Sequence, residues 1–247
     1  MTRLAPSAPG SPPVDLGAQR VALFTDLHLD AARAEEVDAF RASLEALPED
    51  TEACVVMGDL FDAYVGGEDW RGPFALLAET FSALGRRGVR VLLLRGNRDA
   101  LLETRDLHDG PEVVDGVVVG ALGARVLVVH GDEFCLGDRR YQFLRRRLRG
   151  RLLRPLLRGL PLRARRALAR RMRRLSGAEV ARKPLDTLAL TPDEAARAAD
   201  RSAADAVVVG HLHVDERRRL ADGRPLRILP AWQPGTKPYW AASVLDE

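Results

Sequence analysis

The sequence contains few cysteines and few aromatic residues, and it has no long hydrophobic run. Two cysteines, Cys54 and Cys135, cannot build the disulfide framework of a small secreted protein. No run of 18 or more uncharged apolar residues occurs, which excludes a transmembrane helix in the sequence. Residues 1–19 are rich in Pro, Ala, Gly and Ser and lack the apolar stretch of a secretory signal, so we interpret them as a flexible leader. These absences predict a cytoplasmic protein.

Acidic residues are missing from one long segment of the chain. Residues 139–174 contain 16 arginines and neither Asp nor Glu, although the formal net charge of the chain is only +3. Subtracting these 16 positive charges from +3 leaves −13 for the remaining residues. The chain therefore combines an acidic body with one strongly basic segment.

Five short apolar runs alternate with segments of helical spacing. Near-continuous apolar runs predict strands that are buried on both faces, and here they occupy residues 21–25, 53–57, 91–95, 125–129 and 206–209. Helices are predicted between the first three runs, at about 31–47 and 73–88. We predict a layered α/β fold over residues 20–247.

The basic segment has a helical pattern of its own. Leucines recur every four positions from Leu144 to Leu160, which places an apolar stripe on a helix whose other faces are mostly arginine. Pro155 and Pro161 are expected to break or kink it into two or three short helices. We predict a basic helical insert at about 139–204.

The ends of two further helices can be predicted in this insert. One helix is expected near 163–175, ending before Gly177. Another is expected over 191–204, because Pro192 after Thr191 suits the first helical position.

Potential metal ligands follow each of the five apolar runs. The motifs are Asp26-Leu27-His28, Gly58-Asp59, Gly96-Asn97-Arg98, His130-Gly131-Asp132 and Gly210-His211-Leu212-His213. Four of the five histidines lie in them, and only His108 does not. Since α/β sheets place ligand sites at the carboxyl ends of their strands, we expect these side chains to meet. Asp, Asn and His suit Mn²⁺, Fe²⁺, Zn²⁺ or Mg²⁺, whereas the lack of cysteine clusters argues against structural zinc.

Each motif by itself also has a purely structural interpretation. Gly-Asp is often a turn, Gly-Asn is an ordinary loop signal, and His130 alone could be a hydrogen-bonded core residue. The ordered set of five favours a shared site, because coincidence would have to repeat at every strand end.

In this order the motifs resemble the calcineurin-like metallophosphoesterase superfamily over about residues 21–245. The resemblance implies a two-sheet β-sandwich flanked by helices, with a binuclear metal centre at one end. It implies one metal held by Asp26, His28, Asp59 and His213, and a second held by Asp59, Asn97, His130 and His211. Two such ions activate a water molecule and stabilise both the attacking and leaving oxygens of a phosphate ester. The resemblance assigns catalytic roles to Asp59, Asn97, Arg98 and His130.

A narrower resemblance is to the UDP-2,3-diacylglucosamine hydrolases of lipid A synthesis. It is carried by GDLFD with YVGGEDW, by GNRD and by HGDEFCLGDRRYQFLRRRLR. It implies a lipid-binding helical cap and cleavage of UDP-2,3-diacylglucosamine to UMP and 2,3-diacylglucosamine 1-phosphate. The implied substrate-binding residues are Arg98, Asp138, Tyr141, Ser176, Lys183 and His211. Leu212 and Val180 depart from the family pattern, which often has Thr and Asn there.

The partner of the basic segment has three interpretations. A helix rich in Leu and Arg is typical of a surface that meets an anionic membrane, which predicts peripheral attachment to the inner membrane. Alternatively its leucines face the core and its arginines face solvent. Nucleic acid ranks below both, because Tyr141 and Phe143 are the only aromatic residues in the segment. No feature implies a protein partner.

Other substrates and a non-catalytic role are the remaining alternatives. The substrate could be another nucleotide diphosphate, a phosphomonoester, a phosphoprotein or a nucleic acid. A scaffold that kept only the fold is disfavoured, because all seven expected ligands are present. We expect two divalent ions as cofactors, with Mn²⁺ first.

Overall fold

The computed structural model describes residues 12–107, 110–137, 139–148, 153–180 and 190–244. Its strands are β1 Val14–Asp15, β2 Val21–Phe24, β3 Ala53–Val56, β4 Arg90–Leu94, β5 Glu112–Val114, β6 Gly116–Ala121, β7 Ala124–Val129, β8 Ala206–Val209, β9 Glu216–Arg219, β10 Pro225–Ile228 and β11 Tyr239–Trp240. Its α-helices are α1 Ala34–Glu45, α2 Pro73–Arg86, α3 Arg139–Leu148, α4 Leu153–Gly159, α5 Leu162–Val180 and α6 Pro192–Arg201. Short 3₁₀ helices occupy Gly67–Asp69, Thr104–Asp106, Asp132–Phe134 and Ala241–Val244.

The strands form two sheets, which confirms the predicted α/β sandwich. The first sheet has the order β11-β2-β3-β4-β5, and β2 to β5 are parallel. The second has the order β1-β6-β7-β8-β10-β9, in which β7, β8 and β10 are parallel. All five predicted strands are present, within one residue of the expected positions at most ends.

Apolar side chains on alternate faces of the strands build separate cores. Val21 and Leu23 of β2 point into the core between the two sheets, whereas Ala22 and Phe24 point into the core beneath α1 and α2. Because successive side chains of a strand point to opposite faces, a strand covered on both sides must be apolar throughout. This is why the runs in the sequence lack polar alternation.

The helices α1 and α2 confirm the two predicted helical segments. Phe40 of α1 is fully buried, and its ring lies 5.2 Å from the ring of Phe24 and 6.4 Å from that of Phe81. The helix α2 begins at Pro73, where a missing backbone N–H costs nothing. Burial of such aromatic side chains is the main source of stability for this layer.

The basic segment forms α3, α4 and α5, as the prediction of two or three helices requires. Pro161 separates α4 from α5, whereas Pro155 lies inside α4, which continues past it to Gly159. The predicted end before Gly177 is wrong, because α5 continues through it to Val180. One glycine costs a helix only about 1 kcal/mol, which neighbouring turns can offset. We call α3, α4 and α5 the basic insert.

Two predicted boundaries also need correction. The helix α6 begins at Pro192 as expected, but Ala195 and Ala199 pack with Val207 against the second sheet. The insert expected at 139–204 therefore ends before α6, whose alanine-rich face belongs to the body. Within the leader expected at 1–19, Val14–Asp15 pairs in parallel with β6, so this part is a strand.

Candidate metal centre

The carboxyl ends of five strands meet at one edge of the sandwich. Loops after β2, β3 and β4 of the first sheet and after β7 and β8 of the second approach each other there. They bring together all seven predicted ligands, namely Asp26, His28, Asp59, Asn97, His130, His211 and His213. The convergence follows from the strand order, because β2, β3 and β4 are neighbours, as are β7 and β8.

One group of potential ligands consists of Asp26, His28 and His213. The Nε2 atom of His213 lies 3.2 Å from Asp26 Oδ1 and 3.1 Å from His28 Nε2. The distance between His28 Nε2 and Asp26 Oδ1 is 3.9 Å. These donor atoms are close enough to bind a single cation.

A second group consists of Asp26, Asp59 and His130. The Nε2 atom of His130 lies 3.8 Å from Asp59 Oδ1 and 3.2 Å from Asn97 Oδ1. The ring of His211 lies 5.0 Å from that of His130. Of the four residues that the resemblance implies for the second ion, Asp59 and His130 belong to this group, and Asn97 and His211 lie beside His130. Asp26, which the resemblance implies for the first ion, belongs to both groups.

Asp59 belongs to the second group and also faces His28 of the first. Its Oδ1 faces His130, and its Oδ2 lies 3.8 Å from His28 Nδ1. The side chain is 2% exposed, and the backbone N–H of Arg98 donates to Oδ1 over 2.9 Å. A carboxylate with one oxygen toward each group has the geometry that a bridging ligand needs.

The backbone around the site is strained. Non-glycine residues rarely adopt positive φ, yet five of the seven candidates have φ between 50° and 65°: Asp26, His28, Asp59, His211 and His213. Such conformations cost about 1–3 kcal/mol each and persist only where the surroundings enforce them. Their concentration here indicates a functional site.

Two glycines allow the loops to approach this closely. A Cβ atom on Gly96 would lie 2.0 Å from Asp59 Oδ1, and one on Gly210 would lie 1.9 Å from Thr25 Oγ1. Only glycine fits at either position.

Burial and neighbouring charges shift the pKa values in the site. Burial lowers the pKa of His28 to about 3 and that of His211 to about 4, with help from nearby positive charges. Burial acts to raise the pKa of Asp26, but hydrogen bonds from His213 and Thr25 outweigh it and hold the pKa below its usual value. The two imidazoles are therefore neutral at pH 7, which is the form that binds metals.

The pKa values of Asp59 and His130 are both raised. Burial raises the pKa of the Asp59 carboxyl. Burial also acts to lower the pKa of His130, but the charges of Asp59 and Asp26 outweigh it and raise that pKa. A buried carboxylate thus needs a positive neighbour, and a bound cation could take that role.

The donor set fits divalent cations. The Nδ1 atom of His28 is buried and has no hydrogen-bond partner within the described residues. Carboxylate oxygens, an amide oxygen and neutral imidazoles suit Mn²⁺, Fe²⁺ and Zn²⁺, and buried carboxylates of like charge need compensation. Both observations indicate that the site is built around metal ions.

The expected substrate-binding residues have different surroundings. Arg98 is paired with Asp62 over 2.7 Å, and its Nε lies 3.6 Å from Asp59 Oδ2. The Tyr141 hydroxyl donates to Asp132. His211 is in the site, and its backbone N–H donates to Asp26 Oδ2 over 2.8 Å. Asp138, Lys183 and the side chain of Ser176 lie outside the described residues.

Two buried carboxylates in the motifs have roles that the sequence interpretation did not assign. Asp99 is fully buried and accepts the backbone N–H groups of Leu60 and Gly96 over 2.9 and 2.6 Å. Asp132 is fully buried and accepts from Arg145 of α3 over 2.8 Å. Asp99 is the last residue of the GNRD motif, and Asp132 is the last residue of the HGD motif. Their position at the end of a ligand motif was the sequence feature that could have identified them.

The calcineurin-like phosphoesterase family model matches residues 19–215, a range that contains every ligand motif. The chain belongs to the calcineurin-like phosphoesterase family. Membership makes this phosphoesterase a metal-dependent hydrolase, in agreement with the clustered donors.

Curated relatives of this calcineurin-like phosphoesterase carry one recurring name. The UDP-2,3-diacylglucosamine hydrolase of Pseudomonas paraeruginosa is 33% identical over 91% of this chain and 94% of its own. That of Stutzerimonas stutzeri is 34% identical over the same shares. Among solved structures, the phosphopantetheinyl hydrolase of Mycobacterium tuberculosis has a TM-score of 0.45 at 14% identity, covering 94% of this chain and 98% of that one.

Proposed function

We propose that this phosphoesterase hydrolyses UDP-2,3-diacylglucosamine to UMP and 2,3-diacylglucosamine 1-phosphate. The observation that carries the proposal is the complete set of seven clustered ligands in a chain that aligns with named UDP-2,3-diacylglucosamine hydrolases over 91% of its length. The basic insert supports it, because an acylated nucleotide needs both phosphate-binding charge and apolar surface.

Each predicted residue has a proposed role in this reaction. Asp26, His28, Asp59 and His213 would hold one ion, and Asp59, Asn97, His130 and His211 the other. The bound ions would supply a nucleophile at neutral pH and stabilise the charge of the leaving oxygen. Asp59 would contribute one oxygen toward each group of ligands, and Asn97 would add a neutral oxygen. The ring of His130 is fixed, because its Nδ1 lies 2.9 Å from the Met57 carbonyl.

Substrate binding is proposed for residues around the centre. Arg98 presents its guanidinium, held in place by Asp62, to the phosphate oxygens. Tyr141 and His211 are proposed to contact the substrate, together with Asp138, Ser176 and Lys183. Tyr141 would do so from the first turn of α3, where its hydroxyl donates to Asp132.

Mn²⁺ is the cofactor that we propose. A mixed set of imidazole and carboxylate ligands suits Mn²⁺ and Fe²⁺. Mg²⁺ is typically bound by oxygen ligands alone. Metal-free protein reconstituted with single cations should recover most activity with Mn²⁺. Greater recovery with Zn²⁺ or Mg²⁺ would contradict this choice.

Attachment to an anionic inner-membrane surface, on the cytoplasmic side, is the proposed location. The basic insert exposes 60% of Phe143 and 67% of Leu156, next to a large excess of arginine. Exposed apolar side chains among cations are typical of membrane-surface helices. No helix in the described part of the chain is long and apolar enough to span a membrane.

The decisive test is product analysis. Mn²⁺-loaded protein is incubated with UDP-2,3-diacylglucosamine in detergent micelles, and UMP is quantified by chromatography. We expect UMP and 2,3-diacylglucosamine 1-phosphate in equal amounts. Release of uridine or inorganic phosphate instead, or turnover only of a phosphomonoester or nucleic acid control, would overturn the proposal.

A further inference from the structure

Two arginines of the basic insert, the buried Arg165 and the half-buried Arg158, pack against the two loops that carry Asp59 and Asn97. We define the first site loop as residues 57–72 and the second site loop as residues 95–107. Each contains a short acidic 3₁₀ helix beyond its ligand, at Gly67–Asp69 and Thr104–Asp106 respectively. These acidic helices lie where the insert contacts the body.

Arg165 of α5 binds the first site loop. It is 7% exposed, and its guanidinium donates to the Val65 carbonyl over 2.6 Å. The same group forms a bidentate pair with Glu68, with distances of 2.6 and 3.1 Å. A buried guanidinium with a bidentate partner is a strong, directional contact, and removing its carboxylate partner would leave it uncompensated.

Arg158 of α4 binds the second site loop in the same manner. Its guanidinium forms a bidentate pair with Asp106 and donates to the Leu101 carbonyl over 2.8 Å. The Asp106 side chain is 3% exposed. It also accepts the Tyr64 hydroxyl over 2.7 Å, and Tyr64 belongs to the first site loop. Asp106 therefore joins the insert to both site loops.

These contacts continue to the metal centre. The backbone N–H of Tyr64 donates to the Arg98 carbonyl over 2.9 Å, and the backbone N–H of Arg98 donates to Asp59 Oδ1 over 2.9 Å. Starting at Arg158, the path runs through Asp106, Tyr64 and Arg98 to Asp59, with direct contact at every step.

We propose that Arg158 and Arg165 are positioning residues that clamp the basic insert onto the two site loops. Arg165 sets the position of the insert, and Arg158 sets both the insert and the loops that hold Asp59 and Asn97. The inference rests on the proposed function in one respect, which is that the insert receives the acyl chains of the substrate. Neither arginine needs to contact the substrate for this role.

The test compares Arg158→Gln and Arg165→Gln with Arg163→Gln. Arg163 is exposed on α5, so its replacement removes the same charge without opening a buried contact. Three readouts are used, namely amide hydrogen exchange of α4 and α5, kinetics on UDP-2,3-diacylglucosamine, and turnover of the small diester bis(p-nitrophenyl) phosphate.

For Arg165→Gln we expect amide exchange in α4 and α5 to rise about tenfold or more. KM for the acylated substrate should rise about tenfold with kcat nearly unchanged, since binding is lost equally in ground and transition states. Turnover of the small diester should stay at the wild-type rate, as it should in Arg163→Gln.

For Arg158→Gln we expect the same rise in amide exchange. We also expect slower turnover of the small diester, because Asp106 without its arginine partner no longer fixes the Tyr64 hydroxyl. If this variant does not fold, Tyr64→Phe isolates the second effect by removing only the hydroxyl contact. Exchange equal to that of Arg163→Gln in both arginine variants, or equal effects on both substrates in Arg165→Gln, would overturn the clamp.

Failure of the proposed function gives a different result. Wild-type protein that cleaves the small diester but not UDP-2,3-diacylglucosamine would refute the substrate. The exchange data and the diester rates would still decide whether the two arginines position the insert and the loops.

Discussion

At the scale of single residues, the buried carboxylates around the metal centre have two roles: one faces the candidate ligands, and another fixes the backbone beside them. Asp59 faces residues of both ligand groups, whereas Asp99 accepts the backbone N–H groups of Leu60 and Gly96 and fixes the backbone there. Mutation of a residue that orients metal ligands through hydrogen bonds, without binding the metal itself, commonly lowers metal affinity or activity by about 10–100-fold. The two roles can be separated by mutation.

Asp59→Asn should abolish detectable turnover and lower the bound metal. An amide supplies only one oxygen and carries no charge, so it cannot bridge two cations. Metal content by plasma mass spectrometry and UMP release measure the two effects. Wild-type metal content with full activity would show that Asp59 is not a ligand.

Asp99→Asn should lower kcat/KM by about 10–100-fold while the ligand set remains intact. The amide can accept only one of the two backbone N–H groups that Asp99 now accepts. Activity should rise with added metal, because the defect is one of ligand placement. Loss that extra Mn²⁺ cannot change would argue against a positioning role.

Gly96→Ala tests how tightly the loops are packed. Its Cβ would lie 2.5 Å from the Asp59 backbone nitrogen, which cannot move like a flexible side chain. We expect a loss of about 1–3 kcal/mol in the free energy of unfolding by urea titration. Gly85→Ala on α2, where no atom lies within 4 Å, is the matched control and should be neutral or stabilising.

The helices α1 and α2 act as one element against the first sheet. Phe40 contacts Phe24, Phe81 and Trp232, with ring distances of 5.2, 6.4 and 5.4 Å. Trp232 is buried in the same core as Phe40. The cost of removing Phe40 should therefore be large although it lies far from any ligand.

Phe40→Ala should lower the free energy of unfolding by about 3–5 kcal/mol, the range for a large aromatic side chain truncated in a packed core. Glu45→Ala on the same helix should change it by less than about 0.5 kcal/mol, because its side chain is 60% exposed and its pair with Arg41 is weak. Chemical denaturation measures both. Equal effects would mean that the aromatic cluster is not the anchor of α1.

On the scale of the whole molecule, the metal centre joins the two sheets. Asp26 and Asp59 come from the first sheet, and His130, His211 and His213 from the second. A ligand that binds only the folded state stabilises it, by about 2.7 kcal/mol at a hundredfold excess over Kd. Bound cations should therefore hold the sheets together at this edge.

Chelation of the metal should lower Tm by several degrees, and Mn²⁺ should restore it. Differential scanning calorimetry of wild type and Asp59→Asn gives the comparison. The variant should respond far less to both treatments. The same response in both proteins would place the stabilising cation elsewhere.

The charge asymmetry of the chain also acts at this scale. The basic segment and the acidic body attract each other, and the structure shows where, in the pairs of Arg158 and Arg165 with the site loops. A stripe of leucine and arginine predicted a surface helix but not which arginines turn inward. Arg154, at 6% exposure, is a third that does.

Local chemistry in the sequence was enough to predict five strands, α1, α2, a layered α/β fold and a meeting of the polar residues that follow the strands. The two-sheet sandwich and the division of seven ligands between two ions were what the family resemblance implied. Apolar runs predict strands because a strand covered on both faces must be apolar. The residues directly after parallel strands lie at the same edge of the sheet, and so they come close together. Tertiary structure alone decided the partners of side chains distant in sequence. The contacts of Arg165 with Glu68 and of Asp106 with Tyr64, the continuation of α5 past Gly177, and the pairing of Val14–Asp15 with β6 depend on packing energies that no local pattern contains.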